Sequence, residues 1–165
     1  GEILSTPLQL TNEVAIIANK GFYYTPHIVR KIENVDTAYY LPYKKNITTI
    51  DSSHFDIIID AMHDVFIGEH GTARWYPIKD IELCGKTGTV ENPHGANHSV
   101  FIAFAPKENP KIAISVVVEN SGFGSTWAAP IACLMIEKYL TDTVSYKWRE
   151  NKILDFNYKN IEKKD

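Results

Sequence analysis

The chain has 165 residues, a formal net charge of −3, 44% apolar residues and 22% charged ones. That balance describes one globular domain, or part of one, with enough chain to bury a real core, and it excludes a disordered segment. With no basic cluster the charge argues against nucleic acid as a partner, and no apolar run is long enough to span a membrane.

In chain order, Thr6-Pro7-Leu8-Gln9 is a helix start: Thr6 caps, Pro7 suits the first helical position and Gln9 completes a capping box. Leu10, Val14, Ile17 and Ala18 recur at helical spacing, and Gly21 supplies a stop. Residues 23–32 read as extended, with Pro26 marking an edge or a bulge, and 33–51 read as irregular. Ser52 or Ser53 caps a second helix whose buried stripe is Phe55, Ile58, Ile59, Met62 and Phe66, ended by Gly68. Three strands follow at 81–90, 99–105 and 111–119. The last two are apolar on both alternating faces, so helices should cover both sides, and the short link 106–110 makes them an antiparallel hairpin. A glycine-rich loop, SGFGST, leads to a last helix over 127–140, with Pro130 in its first turn. Residues 142–165 are charged and only patchily apolar, and read as a tail or appended extension. The fold class is therefore α/β of the α+β type, an antiparallel sheet covered by helices. Cys84 and Cys133 both lie in apolar runs and read as buried free thiols.

The anomaly is Cys84-Gly-Lys-Thr-Gly-Thr89, which puts a lysine, two threonines and two glycines in a strand. Alternation sets Thr87 and Thr89 on one face, and Lys86 and Gly88 on the other. Two hydroxyls on one face can reach a single anion such as a carboxylate. Gly88 leaves room for another backbone to come close. Lys86 points towards whatever packs behind, where a buried lysine needs partners. An edge strand of this pattern can hold an extended peptide by main-chain pairing. A phosphate-binding P-loop does not fit: its first glycine would fall on Asp80, and a loop rather than a helix follows the motif.

The neighbours of KTGT turn the motif into a family resemblance. The order T-P-L-Q, I-A-N-x-G, K-T-G-T and F-A-P resembles the penicillin-binding transpeptidases over roughly residues 1–141, and most of all the class B, cell-elongation D,D-transpeptidases of the penicillin-binding protein 2 type. The resemblance implies part of a penicillin-binding, β-lactamase-like fold, with 1–141 the C-terminal portion of the transpeptidase domain and 142–165 outside it. The family carries S-x-x-K, S-x-N and K-T-G. Neither of the first two occurs here, and Tyr158-Lys159-Asn160 mimics a Tyr-x-Asn variant in the wrong order. The nucleophilic serine is thus expected in a preceding part of a longer parent.

Carried over residue by residue, the resemblance makes Lys86 and Thr89 catalytic. Lys86 would hydrogen-bond the serine of the absent S-x-N motif and supply positive potential. The Thr89 backbone N–H would be one of two oxyanion-hole donors. Thr87, Gly88 and Thr89 would bind substrate, the hydroxyls holding its terminal carboxylate. The implied partners are peptidoglycan stem peptides and β-lactams, with no cofactor, no metal and no nucleic acid. The parent would sit at the periplasmic face of the bacterial membrane, anchored through an N-terminal segment. This chain alone would be inactive, and would self-associate through the edge of strand 111–119. A β-lactamase-like hydrolase and a non-catalytic peptide- or partner-binding homologue stay open, and the upstream motifs discriminate among these readings. Elsewhere, a zinc role for His94 and His98 lacks a supporting ligand pattern. His54, His63 and His70 read as decoration of the second helix and its exit, Gly71-Thr72-Ala73 as structural, and Trp127 and Phe123 as packing against the last helix rather than shaping a groove.

Overall fold

The structure, a computed structural model, describes residues 3–29, 31–32, 39–40 and 43–156. Helix α1, Pro7–Ala18, opens with the expected capping box: the Gln9 amide donates to the Thr6 hydroxyl, and the Thr6 amide to the Gln9 side-chain oxygen at 2.8 Å. It closes with paired bonds from Lys20 N–H to Ile17 O and from Gly21 N–H to Ile16 O. The left-handed turn is taken by Lys20 at φ 53° and continued by Gly21 at φ 106°, so the stop spreads over two residues.

Strand β1, Phe22–Tyr24, pairs antiparallel with β4, Lys45–Ile47, and β2, Lys31–Ile32, with β3, Tyr39–Tyr40. The single extended run expected over 23–32 is therefore two short strands. The region expected to be irregular holds two more, with 33–38 and 41–42 outside the described residues. Pieces of two or three residues are too short to show an alternation. Helix α2, Ser53–Ile67, is capped by neither serine: Asp51 Oδ1 accepts from the Ser53 amide at 2.9 Å and its hydroxyl at 2.6 Å, while Ser52 is already helical. Ile58, expected in the buried stripe, is 47% exposed. His63, expected at the surface, is buried, and its Nδ1–H donates to Leu83 O at 2.9 Å, fastening α2 to the approach of the next strand.

The main sheet has the order β5-β6-β7, antiparallel throughout, from β5, Cys84–Val90, β6, His98–Ala105, and β7, Ile112–Val118. The β6–β7 hairpin is as expected. Each face of β6 packs into its own core, the Ser99–Ala105 face buried throughout and the other buried at Phe104 and half-buried at Val100 and Ile102. Phe101, Ala103 and Ala105, with Ile114, pack against helix α3, Ala128–Thr141, and against Phe66 and Leu83. Phe104 and Cys84 pack on the opposite face against Val14 and Ala18 of α1 and Phe55, Ile59 and Met62 of α2. Fully burying side chains of this size stabilises by roughly 1.5–3 kcal/mol each, so the central strand is the most strongly held part of the sheet. Both thiols are buried and unpaired, and desolvation pushes each up to about 12.

After α3 the chain forms α4, Lys147–Leu154, where the sequence suggested no element. α4 is held by one buried side chain rather than an apolar stripe. Arg149 donates to Pro77 O at 2.9 Å and to Trp75 O at 3.0 Å, with its guanidinium 4.3 Å from the centre of the Tyr146 ring. Tyr158-Lys159-Asn160 lies outside the described residues.

Candidate active site

Among the described residues β5 is bonded to β6 on one side only, so it is a sheet edge. Its register with β6 sets the faces. Lys86 and Gly88 stand opposite Ile102 and Val100, and Thr87 and Thr89 opposite Phe101 and Ser99. The two hydroxyls thus share the α3 side of the sheet, and Lys86 lies on the α1/α2 side, as alternation requires. Lys86 is exposed, not buried as expected, and its ammonium donates to Thr87 O at 3.0 Å. α2 covers Cys84 on this face, but its cover does not extend to Lys86.

Thr87 is half-buried, and its hydroxyl lies 2.9 Å from that of Thr72, on the turn after α2. Thr89 is exposed at the end of the strand. A second backbone does come close at Gly88, but the glycine that permits it is Gly124. A Cβ there would fall 2.4 Å from Gly88 O and 2.3 Å from Val100 O, so the loop before α3 lies flat on the sheet. A Cβ on Gly88 itself would come no closer than 3.3 Å, to the Val100 side chain. The loop is pinned by Ser99, which is fully buried: its hydroxyl donates to Phe123 O at 2.9 Å and accepts from Ala128 N–H at 3.0 Å. Trp127 is buried as expected, against Phe156 at 4.0 Å between ring centres. Phe123 is not: it is 68% exposed, one residue from the point where the loop touches β5.

A polar cleft of about 400 Å³ opens beside this arrangement, lined by His70, Thr72, Arg74 and Tyr76 from the turn after α2, Ser125 and Thr126 from the loop, and Lys152 from α4. Of the two histidines weighed for zinc, His98 is engaged through Nδ1, which accepts the Asn120 amide at 3.0 Å, and His94 is exposed on the loop between β5 and β6. Thr72, Ser99 and Gly124 were not readable as site residues. Each acts through a partner 15 or more residues away in sequence; Thr72 lies in the Gly71-Thr72-Ala73 segment and Gly124 in the SGFGST loop, both of which read as structural.

Residues 1–137 match the family described as the penicillin binding protein transpeptidase domain. The peptidoglycan D,D-transpeptidase MrdA of Haemophilus influenzae is 30% identical over 159 residues, covering 82% of this chain and 24% of that protein. PbpA of Mycolicibacterium smegmatis, another peptidoglycan D,D-transpeptidase, is 30% identical over 145 residues, covering 79% of this chain and 28% of its own length. The chain therefore spans about a quarter of the length of these relatives. Among solved structures, Pseudomonas aeruginosa PBP2 in complex with WCK 5153 superposes with a TM-score of 0.71 at 32% identity, over 86% of this chain and 31% of that one. The imipenem acyl-enzyme complex of Mycobacterium tuberculosis penicillin-binding protein A gives 0.73 at 27% identity, over 86% and 32%.

Proposed function

The chain belongs to the penicillin-binding-protein transpeptidase family, and from that premise we propose that it forms one wall of the active site of a serine peptidoglycan D,D-transpeptidase. The observation that carries the reading is the edge strand β5. It presents an exposed lysine on one open face and two hydroxyls on the other, all beside a backbone edge that no strand among the described residues pairs. A nucleophile is what such a wall lacks, and no S-x-x-K or S-x-N occurs in the 165 residues.

In this reading a serine from elsewhere in the parent attacks the carbonyl of the penultimate D-alanine of a stem peptide. The bond to the terminal D-alanine breaks, and the amine of a neighbouring stem peptide then takes the acyl group. Lys86 stands on the open face, where that serine and its S-x-N partner would sit. Its charge favours the deprotonated state of groups close to it. Thr87 and Thr89 hold the substrate carboxylate by charge-assisted hydrogen bonds. The Thr89 N–H helps to bind the oxyanion, and Gly88 keeps the strand low under the acyl chain. β-Lactams occupy the same groove and stall as acyl-enzymes. The parent works at the periplasmic face of the membrane, anchored by a segment outside this chain. Among the described residues no helix is long and apolar enough to cross a bilayer.

The test is a labelled penicillin offered to this chain and to its complete parent. The parent becomes labelled through a serine, stably on the timescale of turnover, and this chain does not. A stoichiometric adduct on this chain alone overturns the reading. Rapid hydrolysis of the label by the parent assigns it to the hydrolases instead.

A further inference from the structure

The Thr72–Thr87 contact has no part in the roles above, and it bears on how Thr87 meets an anion. Two hydroxyl oxygens 2.9 Å apart share one proton between them, and each brings only one proton to give. If Thr87 donates to Thr72, its proton is used up and Thr87 turns only lone pairs towards the groove. If Thr72 donates, the Thr87 proton is left for a ligand. An ionised carboxylate accepts and cannot donate. Binding one therefore selects the second arrangement, a chain running from Thr72 through Thr87 to the anion, in which each bond polarises the next.

Thr72 is built to hold its place in that chain. Its turn is tied by Gly71 N–H to Gly68 O at 2.9 Å, Ala73 N–H to Val65 O at 3.0 Å and Tyr76 N–H to Ala73 O at 3.0 Å. Gly71 is packed so closely that a Cβ would fall 2.5 Å from Val65 O. At its far end the turn is clamped by Arg149 of α4, whose two terminal nitrogens take the carbonyls of Trp75 and Pro77 from 72 or more residues away in sequence. We infer that Thr72 is a positioning residue for carboxylate recognition, aligning the Thr87 hydroxyl, and that Arg149 fixes the turn presenting it. The inference rests on the reading of Thr87 as a carboxylate ligand.

The experiment compares acylation of the complete parent by a penicillin and by its neutral methyl ester, at concentrations giving a measurable rate with each. Thr72→Val keeps the shape and removes the hydroxyl. It is expected to slow acylation by the acid about 5–10-fold, the scale of one hydrogen bond felt through a neighbour, with the ester within about two-fold and the melting temperature unchanged. Arg149→Lys keeps the charge but loses the fork of donors, and gives a smaller loss with the same preference. Thr87→Val is the control. If it slows acid and ester alike, the carboxylate reading of Thr87 is wrong and the inference goes with it. If Thr87→Val is selective for the acid and Thr72→Val is not, the inference alone is overturned. A Thr72→Val protein that loses both rates equally along with its stability also overturns it, because the residue is then structural only.

Discussion

β5 and β7 are the two edges of one three-stranded sheet, seven residues long each, and they have opposite chemistry. β5 carries lysine, two threonines and two glycines, and its neighbours are polar: the Thr72 hydroxyl beside it, a loop pinned across it by Ser99, and a cleft with two cations in its lining. β7 reads IAISVVV, with no charge, no glycine and no proline. Its two faces are covered in part by α1 and α3, but the sheet ends there without any blunting device among the described residues. An edge meant to stay open to solvent is normally marked by charge, proline or a bulge. β5 has the composition of an edge that receives a ligand. β7 has the composition of an interior strand, one that ordinarily has a neighbour on each side.

The sharpest way to break this contrast is Lys86→Ala in the complete parent. Acylation by a β-lactam is expected to fall by roughly 10²–10⁴-fold, the scale for losing a positioned acid–base or electrostatic group, with little change in melting temperature because the side chain is exposed. A loss of only a few-fold would mean that the polar edge is merely solvated. Gly124→Ala tests whether the loop must lie flat on β5. The clash with Gly88 O and Val100 O predicts destabilisation of roughly 1–3 kcal/mol by overpacking, read from chemical denaturation, together with slower acylation. The β7 edge is probed in this chain alone. It is expected to self-associate at micromolar concentration, and Val117→Lys, at a position 38% exposed, to lower the associated fraction several-fold by light scattering. A wild-type chain that stays monomeric, with slow amide exchange along β7, removes the argument that the edge lacks its partner. The smallest effect concerns the tie between the β6–β7 turn and α2. Lys107, in the β6–β7 turn, donates to Asp60 of α2 at 2.8 Å, and that hydrogen bond holds the Asp60 carboxyl below its ordinary value. A lowered folded-state value means the contribution is complete above the unfolded value near 3.8 and is lost as pH falls through the folded one. A carboxyl titration by NMR should therefore find Asp60 protonating below 3.8 in wild type, and closer to 3.8 in Lys107→Ala.

The sheet was legible in the sequence because its pattern is long. SVFIAFA and IAISVVV can satisfy alternation only with cover on both faces, and the five-residue link leaves no room for a parallel crossover. The α1 cap was legible because a capping box is complete within four residues. The α2 cap was not, since Asp51, Ser52 and Ser53 are all competent caps and only backbone geometry at Ser52 decides among them. β1 and β4 escaped because their pairing joins residues more than 20 apart over three positions. α4 escaped because its docking rests on one arginine finding two carbonyls, a signal with no periodicity. At the site, the faces of Lys86, Thr87 and Thr89 followed from alternation. The exposure of Lys86 did not, because cover is a property of what α2 fails to reach. Phe123 differs from expectation for a related reason: aromatic residues are mostly core, and this one sits on a loop held to the sheet through its backbone carbonyl, with its ring exposed.

The two buried thiols bear on how such experiments can be done. Cys84 and Cys133 are 0% and 4% exposed, and with thiols pushed up to about 12 they carry almost no thiolate at neutral pH. A maleimide reporter should therefore ignore both in the folded chain. A single cysteine introduced at Phe123, on the loop before α3, or at Trp75, in the lining of the cleft and 66% exposed, can then be labelled without first removing the two native cysteines. The same silence is lost on unfolding, so the appearance of two extra reactive sulfurs per chain would serve as a built-in count of how much of the preparation has opened.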